Sequence, residues 1–194
     1  MFTGIVEEIG TVAALTRGRP AARLSVHATD VTQAMRIGDS IAVDGICLTI
    51  VSFNPHGFAV EVQEETLART RCARYRPGTR INLERALTPQ SRMGGHYVQG
   101  HVDDVGTVRT WRQEGADWVL RVTVPPALRR YVVPKGFIAL NGISLTVTEC
   151  GAELGVHVIP HTRQVTTLAD TRVGDPMNIE VDVIAKYVES LLQR

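Results

Sequence analysis

The chain has 194 residues, 44% of them hydrophobic and 21% charged, and 21 basic against 20 acidic side chains leave a formal net charge of +1. That balance gives no electrostatic basis for binding nucleic acid or an anionic membrane, and no apolar run approaches the roughly 18 residues of a spanning helix. Three cysteines (Cys47, Cys72 and Cys150) without CxxC spacing argue against a disulfide framework or a zinc site, and for a reducing, cytoplasmic setting.

The N-terminus, Met1-Phe2-Thr3-Gly4-Ile5-Val6-Glu7-Glu8, lacks the basic and apolar regions of a signal peptide. Alternating polarity predicts a strand over 23–28, after a turn at Gly18-Arg19-Pro20, and a short helix over 29–36 with Thr29 or Asp30 as its cap. Next comes Ile41-Ala42-Val43-Asp44-Gly45-Ile46-Cys47-Leu48-Thr49. Its Asp-Gly pair between apolar runs predicts a β-hairpin with a type I′ turn, which needs positive φ at both central residues. A strand over 59–63, a turn at Pro77-Gly78 and a polar, flexible linker over 88–95 follow. The second half offers strands over 117–124 and 156–159, a proline-initiated helical piece over 125–131, and a terminal helix over 183–192 capped by Asp182. That helix carries Ile184, Tyr187, Val188, Leu191 and Leu192 on one face; the stripe either packs on its own domain or joins other subunits.

The hairpin block occurs twice. Ile138-Ala139-Leu140-Asn141-Gly142-Ile143-Ser144-Leu145-Thr146 matches 41–49 at six of nine positions. At a shift of 96 or 97 residues, 4–12 also meets 100–108, 58–66 meets 154–162, and 78–84 meets 174–180. Four blocks in one order mean an internal duplication: two small domains of short strands and frequent turns, each a closed barrel or a sandwich.

The six histidines form no metal-binding pattern, and neither a phosphate loop nor a dinucleotide fingerprint is present. Ser144 lacks the second glycine of a nucleophile elbow, and Cys47 taken alone reads as a small core residue more readily than as a reactive thiol. Differences between matched blocks are more informative, because residues that both copies share mostly maintain the fold. They are Ile5 against His101, Gly38 against Lys135, Cys47 against Ser144, Glu65 against His161, and Ala86 against Asp182. In four of the five the second copy gains a group suited to proton transfer.

Met1-Phe2-Thr3-Gly4-Ile5-Val6, Gly45-Ile46-Cys47-Leu48-Thr49, the run from Gly94-Gly95-His96 to Val102-Asp103, and Lys135-Gly136 with Gly142-Ile143-Ser144-Leu145-Thr146 together resemble the riboflavin synthase family. Ile159-Pro160-His161-Thr162 and Val181-Asp182 with Ala185-Lys186-Tyr187-Val188-Glu189 extend the resemblance over the whole chain. It implies an all-β fold of two tandem six-stranded antiparallel β-barrels over residues 1–96 and 97–182, with a C-terminal oligomerisation helix over 183–194 that assembles a homotrimer. It implies a transferase reaction in which two molecules of 6,7-dimethyl-8-ribityllumazine, both held at one active site, dismutate. One gives a four-carbon unit to the other, yielding riboflavin and 5-amino-6-ribitylamino-2,4(1H,3H)-pyrimidinedione. No cofactor or metal is needed, since the 7-methyl group of the lumazine is acidic and its ring accepts nucleophiles; association with lumazine synthase is a further implied partnership.

By motif match, Gly4, Ile5, Val6, Cys47, Leu48, Thr49, Glu61, Val62, Gln63, Glu64, Glu65 and Thr66 line the first-barrel site. Gly100, His101, Val102, Ser144, Leu145, Thr146, His157, Val158, Ile159, Pro160, His161 and Thr162 line the second. Lys135 matches the family's lysine that reaches into a neighbour's site. His101 and Ser144 take proton transfer or activation of the attacking species, with Cys47, Thr49, Thr146 and Asp182 in support. The pair Glu64-Glu65 departs from the resemblance, which implies at most one carboxylate there. A non-catalytic lumazine- or flavin-binding relative is the alternative, and retention of His101, Lys135, Ser144 and Thr146 argues against it.

Overall fold

The computed structural model describes residues 1–18 and 20–193; Arg19, in the turn expected at Gly18-Arg19-Pro20, lies outside the described residues. Strands β1 (Glu8–Thr16), β2 (Ala22–His27), β3 (Ser40–Val43), β4 (Ile46–Asn54), β5 (Gly57–Val62) and β6 (Arg80–Arg85) close one antiparallel barrel in the order β1-β2-β5-β4-β3-β6. Strands β7 (Asp104–Glu114), β8 (Asp117–Thr123), β9 (Phe137–Leu140), β10 (Ile143–Glu149), β11 (Glu153–Val158) and β12 (Pro176–Val181) close a second barrel in the same cyclic order. Closure leaves no free sheet edge, which settles barrel against sandwich.

Each barrel has its own core, fed by alternation along its strands. On β2, Ala22, Leu24 and Val26 point inward and Arg23 and His27 outward. Burying a side chain such as Leu24 contributes roughly 1.5–3 kcal/mol. Both barrels kink at matched places. Pairing slips between Val12 and Ala14 on β1 and between Val108 and Thr110 on β7, and again between Ile50 and Ser52 and between Val147 and Glu149. Such bulges bend a strand enough to let a small sheet close.

The helical expectations fare unevenly. Residues 29–36 form turns, not a helix. The Glu8 carboxylate, reaching from β1, takes the backbone N–H groups of Thr29, Asp30 and Val31 at 2.7, 2.8 and 2.9 Å, and Ala34 adopts a φ of +61° that a helix cannot contain. The piece after Pro125 is a 3₁₀ helix, Pro126–Tyr131. Two short helices arise where the sequence reads as strand ends: α1 (Glu64–Arg69) after β5 and α2 (Pro160–Gln164) after β11. Glu64 and Glu65 thus sit in the first turn of α1, where the helix dipole favours acids, and Glu65 pairs with Arg69 at 2.9 Å.

The terminal helix α3 (Val183–Leu192) forms as expected, with Asp182 Oδ1 accepting from Ile184 N at 3.0 Å. Polar contacts tie it to the second barrel: Lys186 to Asp103 at 2.6 Å, and Glu189 to Arg130 at 2.9 Å and to the Tyr131 hydroxyl. Its apolar stripe stays open, with Tyr187 and Leu191 each 66% exposed. No described helix is long and apolar enough to cross a membrane.

Candidate active site

The two Asx-Gly turns form with positive φ at all four residues (Asp44 +46°, Gly45 +76°, Asn141 +45°, Gly142 +75°). Hairpin tips ordinarily face water, yet Asp44 and Asn141 are buried. The turns abut: a Cβ on Gly45 would lie 2.7 Å from Gly142 N, so only glycine permits the approach. The amide of Asn82 donates to Asn141 O at 3.0 Å, and that of Asn178 donates to Asp44 O at 2.9 Å, a reciprocal pair about a local twofold. The Asp44 carboxylate accepts from Tyr75 Oη at 2.7 Å and faces Arg71 at 3.7 Å; burial raises its pKa, with Arg71 opposing. The Asp44/Asn141 difference between copies therefore belongs to the contact between barrels.

Before entering their own barrels, the segments leading into β1 and β7 exchange places. Phe2 and Val98 bond reciprocally at 2.8 and 3.1 Å, Ser144 N donates to Gly4 O at 2.8 Å, and Cys47 N donates to Gly100 O at 2.8 Å. Val6 consequently packs on the second core and Val102 on the first. Gly4 and Gly100 hold φ of +76° and +80°, and a Cβ on either would fall within 2.7 Å of Ser144 or Cys47. The grouping expected from sequence is thus crossed: Gly4, Ile5 and Val6 lie with Ser144, while Gly100, His101 and Val102 lie with Cys47.

Against the first barrel is a cavity of about 380 Å³, lined by Cys47, Glu65, Thr66, Arg69, Gly100, His101 and Val102 among others. Thr49 and Glu61 are exposed on β4 and β5, Gln63 precedes α1, and Leu48 and Val62 point into the core, so these last two can meet a ligand only through their main chain.

On the second barrel, Ser144 Oγ and His96 Nδ1 lie 2.7 Å apart. His96 stacks on Phe137 with centroids 5.1 Å apart and rings 8° from parallel. Burial lowers its pKa, and the nearby Asp182 opposes that shift. Its Nε2 is buried without a hydrogen-bond partner among the described residues. Gly95 makes room for this pair, since a Cβ there would lie 2.9 Å from Ser144 Oγ. The end of the linker expected to be flexible is therefore anchored, with His96 N donating to Thr3 O at 3.1 Å. Thr146, His157, Ile159, Pro160 and His161 are exposed around this barrel's rim, Thr162 is half-buried, and Leu145 and Val158 belong to the core. Exposed Lys135 is not among the residues lining the first-barrel cavity of its own chain.

His96 is the functional candidate that sequence reasoning passed over. At the repeat shift its counterpart would precede residue 1, so comparing the copies was blind to it. The adjacent Gly94-Gly95, which permits close backbone approach, was the available signal. Among the described residues, no group of three or more His, Cys, Asp or Glu is placed to hold a metal.

Two matched barrels, each with a polar site beside a crossed-over glycine segment, define a tandem small-molecule-binding barrel protein. The Lumazine binding domain family matches residues 3–86 and again 99–182. Riboflavin synthase of Mycobacterium tuberculosis (strain ATCC 25618 / H37Rv) is 49% identical over 199 residues, covering 100% of this chain and 98% of that protein. Riboflavin synthase of Bacillus subtilis (strain 168) is 35% identical over 195 residues, covering 100% and 91%. Among solved structures, LumP complexed with riboflavin superposes with a TM-score of 0.86 at 21% identity, over 93% of this chain and 99% of that one, a likeness of fold. The chain belongs to the riboflavin synthase family.

Proposed function

We infer that this protein catalyses the riboflavin synthase reaction, the dismutation of two 6,7-dimethyl-8-ribityllumazine molecules into riboflavin and 5-amino-6-ribitylamino-2,4(1H,3H)-pyrimidinedione, the last step of riboflavin biosynthesis. Full-length identity to riboflavin synthases supports this, and so does the duplicated site. Donor and acceptor are the same compound, so two copies of one binding barrel suit the reaction, and their chemical roles differ, so the copies should differ where the chemistry occurs. The single observation that carries the reading is the Ser144–His96 pair at 2.7 Å, for which the Cys47 side offers no counterpart among the described residues.

The side chains named from sequence keep their roles as proposals, regrouped to follow the crossed segments. One lumazine sits by Cys47, Thr49, the segment Glu61, Val62, Gln63, Glu64, Glu65 and Thr66, and Gly100, His101 and Val102. The other sits by Gly4, Ile5, Val6, Ser144, Leu145, Thr146 and the segment His157, Val158, Ile159, Pro160, His161 and Thr162. Aligning two such reactants can supply roughly 7–11 kcal/mol of the barrier. Neutral His96 takes a proton from the Ser144 hydroxyl, or from water held there, as attack on one ring begins; His101 serves the acidic 7-methyl group of the other. Asp182 steadies the charge that develops on His96. The apolar stripe of α3 supports a homotrimer, in which the first-barrel site of one subunit faces the second-barrel site of its neighbour and Lys135 crosses between them. Units 1–96, 97–182 and 183–194 then serve binding, binding and assembly. A cytoplasmic location and association with lumazine synthase complete the proposal.

The test is incubation with 6,7-dimethyl-8-ribityllumazine alone: two should disappear for each riboflavin formed. Lumazine bound but unchanged would indicate the non-catalytic binding protein instead.

A further inference from the structure

We propose that Glu84 and Glu180 are positioning residues that act across the duplication, each rooted in one barrel and each setting the geometry of the other barrel's site. Glu84 lies buried on β6 of the first barrel. Its Oε1 accepts from Thr3 N at 2.7 Å and Thr3 Oγ1 at 2.9 Å, and its Oε2 accepts from Gly4 N at 2.9 Å. The carbonyls of the same two residues face the other way: Thr3 O takes His96 N at 3.1 Å, and Gly4 O takes Ser144 N at 2.8 Å. One carboxylate thus fixes, through the two residues Thr3 and Gly4, the backbone of both partners in the Ser144–His96 pair. Glu180 repeats the arrangement from β12. It accepts from Gln99 N at 2.6 Å and Gly100 N at 3.0 Å, and Gly100 O receives Cys47 N at 2.8 Å, one residue before His101.

Glutamate is required because donors approach both of its oxygens. A glutamine would turn an NH₂ toward a backbone N–H, leaving a buried donor unpaired. In the peptide between Thr3 and Gly4 the bound carboxylate also polarises the unit whose carbonyl receives His96 N, which strengthens that bond. Both glutamates are identical in the two copies, so a search for differences treats them as mere fold-keepers. Burial raises the pKa of each. Glu7, itself paired with Arg85, faces Glu84; Asp103 and Lys186 face Glu180. The ionised form makes the clamp, so the clamp fails as pH falls through these raised values.

Thiol reporters test this without turnover, so the result stands apart from the assigned reaction. With Cys150→Ser in place, Cys47 reports the first-barrel site, and Ser144→Cys in a Cys47→Ser, Cys150→Ser background reports the second. Buried Cys72, its thiol pushed up to about 12, reports global opening. Glu180→Gln should raise maleimide labelling of Cys47 about tenfold or more, the scale of one lost charge-assisted hydrogen bond, and leave labelling of the Ser144→Cys reporter unchanged. Glu84→Gln should do the reverse, with Cys72 silent in both. Glu84→Asp and Glu180→Asp, which keep the charge but withdraw it, should show the same crossed pattern more weakly, and they serve if a glutamine variant fails to fold. Labelling that follows the barrel carrying the substitution, rises equally at both reporters, or does not change would overturn the proposal.

Discussion

Replacing His96 separates chemistry from binding. Its Nδ1 lies 2.7 Å from Ser144 Oγ, its ring is stacked on Phe137, and burial depresses its pKa below the ordinary 6.5. In the proposed reaction this imidazole is the general base, and such a base contributes about 10²–10⁴ in rate, or roughly 2.7–5.5 kcal/mol at 1.36 kcal/mol per tenfold. His96→Gln, which retains a hydrogen-bonding group without comparable proton affinity, should lower single-turnover riboflavin formation by about that factor while lumazine still binds. The pH dependence has a definite sign. Wild-type activity should hold as pH falls through 6.5 and decline only through the depressed folded value, and the variant should lose that limb. Stability should follow the same group: the unfolded chain takes up the proton near 6.5 before the folded chain does, so the folded state weakens as pH drops between the two values. Stopped-flow absorbance across the acid range, with urea melts at the same pH values, reads both effects. A His96→Gln protein with wild-type turnover and an unshifted acid limb would refute the assignment.

Three further outcomes follow from the geometry. Gly100→Ala forces a side chain at φ +80° against Cys47 Cβ at 2.5 Å; left-handed backbone alone costs roughly 1–2 kcal/mol, so riboflavin titration should show the first-barrel site weakened more than the second. Tyr75→Phe removes the hydroxyl that donates to buried Asp44 and should cost about 1–3 kcal/mol in urea unfolding, whereas a loss below about 0.5 kcal/mol would mean the carboxylate is adequately held by Arg71 and Asn82. Ending the chain before Val183 should leave both barrels folded by circular dichroism and reduce the assembly seen by light scattering; unchanged mass would place the subunit contacts elsewhere.

Local chemistry explains what could be read in advance. The Asx-Gly pairs demand positive φ, the alternation on β2 and β8 demands a strand with one wet face, and the 3.6-residue stripe after Asp182 demands a helix. Residues 29–36 misled because the competing partner for their N–H groups, Glu8, lies over twenty positions away on another strand. The α1 and α2 helices were missed because six and five residues after a strand carry too few positions to show a period.

The sequence by itself determined a duplicated β unit, its hairpins, its terminal helix and, through the motifs around Cys47, His101 and Ser144, the family. Each of those depends on neighbours a few positions apart, or on one half of the chain matching the other. Tertiary structure alone decided that the leading segments cross, so that Gly4 serves Ser144 and Gly100 serves Cys47, and that His96 stands beside Ser144. Those contacts join residues about 50 to 140 positions apart through backbone amides and glycines, which leave no periodic trace in the order of side chains.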